Sequence, residues 1–385
     1  MQARDSQPTQ LEKTPPPFAS RLIDWQLQHG RAGLPWQNTR DPYRVWLSEV
    51  MLQQTQVSTV MAYYTRFLAQ FPTVMDLARA SEDAVLALWS GLGYYSRARN
   101  LHRCAQIVRD EYQGVFPQSK AALEQLPGIG ASTAAAIAAF CFGERVSIFD
   151  ANVQRVMARL FACDADLSRS ASRRTLQARA ETLLPAAEPT ATLNQRMVAY
   201  TQGLMDLGAT VCLPRQPACV RCPVSGLCQA YAQGKPLLYP VKTSKLKRTA
   251  ETWWLLALVQ APAQGSGAPK LWLHKRPQHG IWGGLHCLPV FASEADVQQL
   301  VQQLPGVQSC EVHATIKHVL THKDLLMRPV VVRLSHLSGE HARPQDLPGA
   351  WHAQWATLGL PAPVRKWLDA AWPLVTQAAG TQTAG

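Results

Sequence analysis

From Phe18 to about Tyr231 apolar residues recur three and four positions apart, as in Val45, Leu47, Val50, Met51 and Leu52, or Val85, Leu86, Leu88 and Trp89. That spacing lines one face of a helix and predicts a mostly helical first part. Short breaks at Gly91-Leu92-Gly93, Phe116-Pro117 and Pro127-Gly128-Ile129-Gly130 separate the helices. The pattern changes near Lys235, where Pro236, Pro240, Lys242, Lys245, Lys247 and Arg248 read as a basic linker over 235–250. Strand-like runs follow at Trp253–Val259, Leu271–His274 and Met327–Leu334, with helical stretches at Glu294–Leu304, N-capped by Ser293, and at Pro363–Ala371. The second part is therefore expected to be a separate α+β domain over 251–375. Residues 1–17 are polar, closing on Pro15-Pro16-Pro17, and read as a disordered lead-in; 376–385 read as a frayed tail.

Composition narrows this picture. The chain has 385 residues and 47% hydrophobic content, enough for more than one core. No apolar run is long enough for a membrane span, and nothing near the start reads as a secretory signal. An intracellular, cytoplasmic location is expected, with no membrane partner. The net charge of +12 favours polyanions, of which nucleic acid is the commonest. Nine cysteines in an intracellular chain do not suggest disulfides. Cys104, Cys141, Cys163, Cys287 and Cys310 are scattered and read as small apolar core residues.

The other four are crowded. Cys212, Cys219, Cys222 and Cys228 give C-x6-C-x2-C-x5-C, a loop stiffened by Pro214, Pro217 and Pro223. Four thiolates so close can surround one metal centre. Structural zinc generally takes two close pairs, and here just Cys219 and Cys222 form one. Iron–sulfur clusters accept more varied spacing, so both remain open on spacing, with iron–sulfur favoured.

Three further features carry chemistry. Leu126-Pro127-Gly128-Ile129-Gly130 ends one helix and begins another over Ala131–Phe140. Gly128 and Gly130 permit a tight turn whose backbone N–H groups suit a phosphate oxygen, although a plain helix–helix turn reads equally well. Asp150, in Ile148-Phe149-Asp150-Ala151-Asn152, precedes a helix and reads as an N-cap or as a reactive carboxylate. Glu49 has an almost wholly apolar surround in Val45–Leu52, which would raise its pKa and keep an acid protonated near neutrality; the alternative is a solvated helix face.

Together these residues resemble the endonuclease-III-like, helix-hairpin-helix glycosylases with a cysteine-ligated [4Fe–4S] cluster, and within them the MutY family of adenine glycosylases. The segments Trp46–Val57 and Gly91–Asn100 look like that family's signatures, and the resemblance covers about residues 20–375. It implies a multidomain chain: an all-α helix-hairpin-helix glycosylase domain over 18–234, with the iron–sulfur loop at 212–228, and a Nudix-like C-terminal domain. It implies removal of adenine opposite 8-oxoguanine or guanine in double-stranded DNA, by a monomer. Glu49 would protonate adenine N7 and Asp150 stabilise the oxocarbenium-like sugar, with Asn152 supporting it.

The resemblance places Leu52, Gln53, Gln54 and Tyr94 where the family fills the duplex or engages the lesion-side base, and Trp36 and Gln202 along the adenine pocket. Ser132 stands where lyase-competent relatives carry a lysine, which implies a monofunctional enzyme with Ser132 in its site. Gln154 replaces a lysine found in some members. Trp272–Pro277 with Gly280–Leu285 resembles the Nudix-like domain, without an acidic metal-binding helix. Leu320-Thr321-His322 stands in place of a Phe-Ser-His lesion-recognition loop; without the resemblance it reads as a strand end. A glycosylase/lyase and a non-catalytic DNA-binding or electron-transfer protein are the competing readings.

Overall fold

The computed structural model describes residues 17–187, 189–243, 247–262, 267–336, 344 and 347–377. The expected lead-in lies outside these, apart from Pro17, which opens a helix; Lys245 of the linker and 378–385 of the tail also lie outside. The helices are α1 (Pro17–His29), α2 (Pro42–Leu52), α3 (Val57–Gln70), α4 (Val74–Arg79), α5 (Glu82–Trp89), α6 (Ser96–Tyr112), α7 (Lys120–Leu123), α8 (Ala131–Ile137), α9 (Ala151–Leu160), α10 (Ser170–Glu181), α11 (Thr190–Asp206), α12 (Gln229–Ala232), α13 (Glu294–Gln303) and α14 (Ala362–Gln377). The strands are β1 (Thr249–Gln260), β2 (Lys270–Lys275), β3 (His286–Cys287), β4 (Val290–Phe291), β5 (Val307–Val312), β6 (Ile316–Val319), β7 (Lys323–Leu334) and β8 (Ala350–His352). Among the described residues no helix is long and apolar enough to cross a membrane.

The contacts divide the chain into two compact units, one of residues 1–54 and 107–245, the other of 55–106 and 246–385. Residues 55–106, expected inside the first domain, thus cluster with the C-terminal part.

The first unit is helical. Its core gathers Phe18 and Leu22 from α1, Val153 and Met157 from α9, and Tyr200 and Leu204 from α11. Two helices end in a π turn: α8 runs on through Ala138–Phe142, and α11 through Leu207–Val211. The expected helix over Ala131–Phe140 is therefore real in extent but changes its winding after Ile137. A π turn holds an additional residue and shifts the facing of everything after it.

The second unit holds a mixed sheet in the order β3-β2-β1-β7-β5, with β4 on β1, β6 on β7 and β8 on β2. β1 and β7 run parallel in unbroken register from Thr249↔Lys323 to Gln260↔Leu334. All eight residues from Trp253 to Gln260 are buried, as a central parallel strand covered on both faces requires. On one face Trp254, Leu256, Leu258, Val330 and Val332 pack with Val297 of α13. α13 starts at a capping box, Ser293 with Asp296, at the expected cap. Asp296 is thereby committed to holding the helix start. α14 is longer than expected, running to Gln377 through Pro373. Helices α5 and α6 meet the C-terminal chain within this unit: the Ser90 and Tyr95 hydroxyls donate to the Leu360 carbonyl at 2.9 and 3.2 Å, and Lys275 pairs with Asp83 at 2.6 Å.

Of the scattered cysteines, Cys104 and Cys287 are buried as expected, while Cys141 and Cys163 are part-exposed. Cys310 is exposed on edge strand β5, because five of that strand's six residues are open to solvent. The core reading fails there.

Candidate active site and nucleic-acid interface

Helix α2 carries Glu49. Asp41 caps it, accepting from the Tyr43 N–H at 2.9 Å, and Pro42 fits the first turn, where its missing N–H is not needed. Trp46, Leu47 and Met51 are fully buried around it, with Trp46 packed on Phe116 at 5.3 Å. Glu49 itself stays half-buried. Burial, and then the charge of Asp150, push its carboxyl from an ordinary 4.5 to about 8. Glu49 is thus neither fully solvated nor sealed in the core, and lies on a helix whose other faces are buried.

Asp150 is exposed and caps α9, its Oδ1 accepting from the Val153 N–H at 2.8 Å. The cap reading of Asp150 holds, and the cap uses one of its two oxygens. Two side chains fix the preceding residue: Ser132 Oγ accepts from the Phe149 N–H at 3.2 Å, and Gln154 Nε2 donates to the Phe149 carbonyl at 3.2 Å. The Ser132 hydroxyl therefore holds the backbone that presents Asp150. Asn152 turns toward α9 and α11, its amide oxygen accepting from Arg155 at 3.0 Å.

The hairpin brings Gly128 into the left-handed region, φ 78°, and uses Gly130 as the N-cap of α8. A Cβ on Gly130 would meet open space. Leu52 ends α2 half-buried, Gln53 donates to the Thr133 hydroxyl at 3.3 Å, and Gln54 has φ 57°. Trp36 is half-buried in the loop before α2. Gln202 donates to Asp206 Oδ1 at 2.9 Å.

In the second unit Tyr94 is 45% exposed with φ 48°, and its hydroxyl lies 3.4 Å from Thr321 Oγ1. Left-handed backbone is costly for residues with a Cβ, by about 1–2 kcal/mol. Gln54 and Tyr94, both expected to touch DNA, adopt it. Arg97 stacks on Tyr94 and Trp89 at 5.3 and 5.4 Å, and burial lowers its guanidinium to about 10. Leu320, Thr321 and His322 form the tip joining β6 to β7. The Leu320 N–H donates to the Lys323 carbonyl at 2.8 Å, Arg248 to the Leu320 carbonyl at 2.7 Å, and the Thr249 N–H to the His322 carbonyl at 3.2 Å. Thr321 and His322 are exposed.

Cys212, Cys219, Cys222 and Cys228 line one cavity together with Arg159, Val156 and Pro217. Among the described residues no three His, Cys, Asp or Glu side chains gather as ligands of a single metal ion.

Residues 47–182 match the HhH-GPD superfamily base excision DNA repair protein family, and 264–370 match the NUDIX domain family. The adenine DNA glycosylase of Buchnera aphidicola subsp. Baizongia pistaciae (strain Bp) is 34% identical, covering 83% of this chain and 87% of its own length. That of Buchnera aphidicola subsp. Acyrthosiphon pisum (strain APS) is 32% identical over 91% and 97%. That of Mus musculus is 33% identical over 85% and 72%. The chain belongs to the adenine DNA glycosylase family.

For an adenine DNA glycosylase, the sequence reading missed the residues that seat the cysteine loop. Arg155 and Arg159, one turn apart on α9, are buried. Arg155 donates to the carbonyls of Cys212 and Gly208 at 2.8 and 2.7 Å. Arg159 reaches Cys212 Sγ at 3.3 Å and the carbonyls of Leu213, Pro214 and Pro236 at 2.8, 3.0 and 2.9 Å. Two arginines on the strongly apolar face of a helix are the signal that was available, because such charges are rarely buried unpaired. Asp206, also buried, was missed as well.

Proposed function

We propose that this chain releases adenine from mispairs with 8-oxoguanine or guanine in double-stranded DNA, by hydrolysis and without strand cleavage. One observation carries the reading: two carboxyls in unlike surroundings, Glu49 held protonated to about 8 beside the exposed Asp150. The adenine leaves the stack to reach them. Glu49 gives its proton to N7 as the bond between C1′ and N9 breaks, so that adenine leaves neutral with the bonding electrons. Asp150 stabilises the positive sugar, and water adds to C1′ while returning a proton to Glu49. Ser132 and Gln154 keep Asp150 in place through Phe149. Trp36 and Gln202 contact the extruded base, Gln53, Gln54, Leu52 and Tyr94 the duplex, and Gly128 and Gly130 a phosphate. Leu320, Thr321 and His322 meet the 8-oxoguanine.

The four cysteines line one cavity, and their C-x6-C-x2-C-x5-C spacing, with a single close pair, suits a [4Fe–4S] cluster. Arg159 offers a cationic N–H to Cys212 Sγ, which suits a thiolate ligand. Cys212, Cys219, Cys222 and Cys228 would hold the cluster, which would cross-link their loop and supply no reacting atom. Arg215 and Arg221, exposed in that loop, contact phosphates. The enzyme acts as a monomer inside the cell.

The test is a duplex with A opposite 8-oxoguanine. Strand breakage after alkali treatment alone is the expected result. Breakage without alkali would indicate a lyase, and none at all a binding protein.

A further inference from the structure

Asp206 is fully buried near the end of α11, and three N–H donors close on its carboxylate. Arg31 Nε lies 2.7 Å from Oδ1, the Arg31 backbone nitrogen 3.0 Å from Oδ2, and Gln202 Nε2 2.9 Å from Oδ1. A carboxylate paired with arginine accepts hydrogen bonds and donates none. Gln202 must therefore turn its NH2 group toward Asp206. The flipped amide would press its carbonyl oxygen against Oδ1, two acceptors face to face. Oxygen and nitrogen of an amide are nearly alike in shape, so the partner decides which points where. What remains of the Gln202 side chain is its carbonyl oxygen, which has no partner among the described residues.

The same carboxylate ties together the surroundings of the reactive pair. Two residues on, Gly208 lies so near Asn152 that an added Cβ would fall 2.8 Å from the Asn152 Cβ. This seats the end of α11 against the first turn of α9, which Asp150 caps. On the other side, Arg31 opens the loop carrying Trp36. Gln37 braces that loop, donating to the Arg31 carbonyl at 3.0 Å and accepting from the Leu34 N–H at 3.1 Å.

We propose that Asp206 is a specificity-determining positioning residue, which fixes Gln202 as a hydrogen-bond acceptor and so selects a base offering a donor at its six-position. Adenine carries an amino group there. Hypoxanthine, otherwise the same purine, carries a keto oxygen, and would set two acceptors against each other. The inference rests on the proposed function, in which Gln202 faces the extruded base.

The experiment compares single-turnover release of adenine and of hypoxanthine, each opposite 8-oxoguanine, by the full chain and by Asp206→Asn. An asparagine amide lets Gln202 present either face. The preference for adenine should therefore fall about tenfold to a hundredfold in the variant. Equal slowing on both bases would mean that Asp206 supports the fold alone, and overturns the inference. Gln202→Met leaves the Asp206–Arg31 pair intact, which covers an Asp206→Asn that does not fold. It should lose the same preference, and an unchanged preference overturns the inference. A wild-type chain that releases adenine without preferring it to hypoxanthine does so too. A wild-type chain that releases neither base overturns the proposed function, and this inference with it.

Discussion

Glu49, the acid of the proposed reaction, also bears on stability. Its carboxyl, raised from 4.5 to about 8, is protonated in the fold across a range where the unfolded chain would ionise it. The folded state therefore binds the additional proton, and its stability declines as pH rises from about 4.5 to about 8, then levels. Glu49→Gln removes that penalty. We expect the variant to melt at a higher temperature than wild type at about pH 9, with the gap closing near pH 5; an equal gap at both would show that ionisation is not the cause. Adenine release should fall by about 10²-fold or more in the same variant while duplex binding survives. In wild type, release should lose about tenfold per pH unit above 8, because the acid form is the active one. Glu49 was legible in the sequence because its apolar neighbours are its neighbours in the chain. Asp206 was not, since its partner Arg31 lies 175 residues away.

Helix α9 links the carboxylate of the proposed reaction to the cysteine loop. Its first turn is capped by Asp150, and its later turns bury Arg155 and Arg159 under the cysteine loop. The cap and the reaction separate by substitution. Asparagine caps as well as aspartate, so Asp150→Asn should keep its melting temperature and lose adenine release. Asp150→Ala should lose release and also about 1 kcal/mol of stability, read by denaturant titration. If both variants melt alike, the Oδ1 contact to Val153 contributes nothing to the helix. The strands at Trp253–Val259, Leu271–His274 and Met327–Leu334, and the Ser293 cap, could be read ahead because each depends on nearby spacing. The π turns at Ala138–Phe142 and Leu207–Val211 could not, because apolar periodicity does not distinguish one additional residue in a buried turn.

At the scale of the whole chain, the charge of +12 favours a polyanion, and the phosphates actually neutralised set how binding responds to salt. Each phosphate neutralised contributes about −0.9 to the slope of log K against log salt. Replacing Arg215 and Arg221 together by glutamine should flatten that slope by about 1.8, at equal effect on matched and mispaired duplex. An unchanged slope would take these arginines off the phosphates. The grouping of residues 55–106 with 246–385 was not legible. No break in pattern marks residues 55–106 as partners of 246–385, because the Ser90, Tyr95 and Asp83 contacts that join them reach across some 190 to 270 positions. That grouping bears on ancestry. A crossover between related genes at the basic stretch near Lys245 would pass on a C-terminal segment bred against one version of Asp83, Ser90 and Tyr95, joined to another. Such hybrids carry mismatched halves of one unit, so exchange at that point should be purged, and the two segments should be inherited as one lineage.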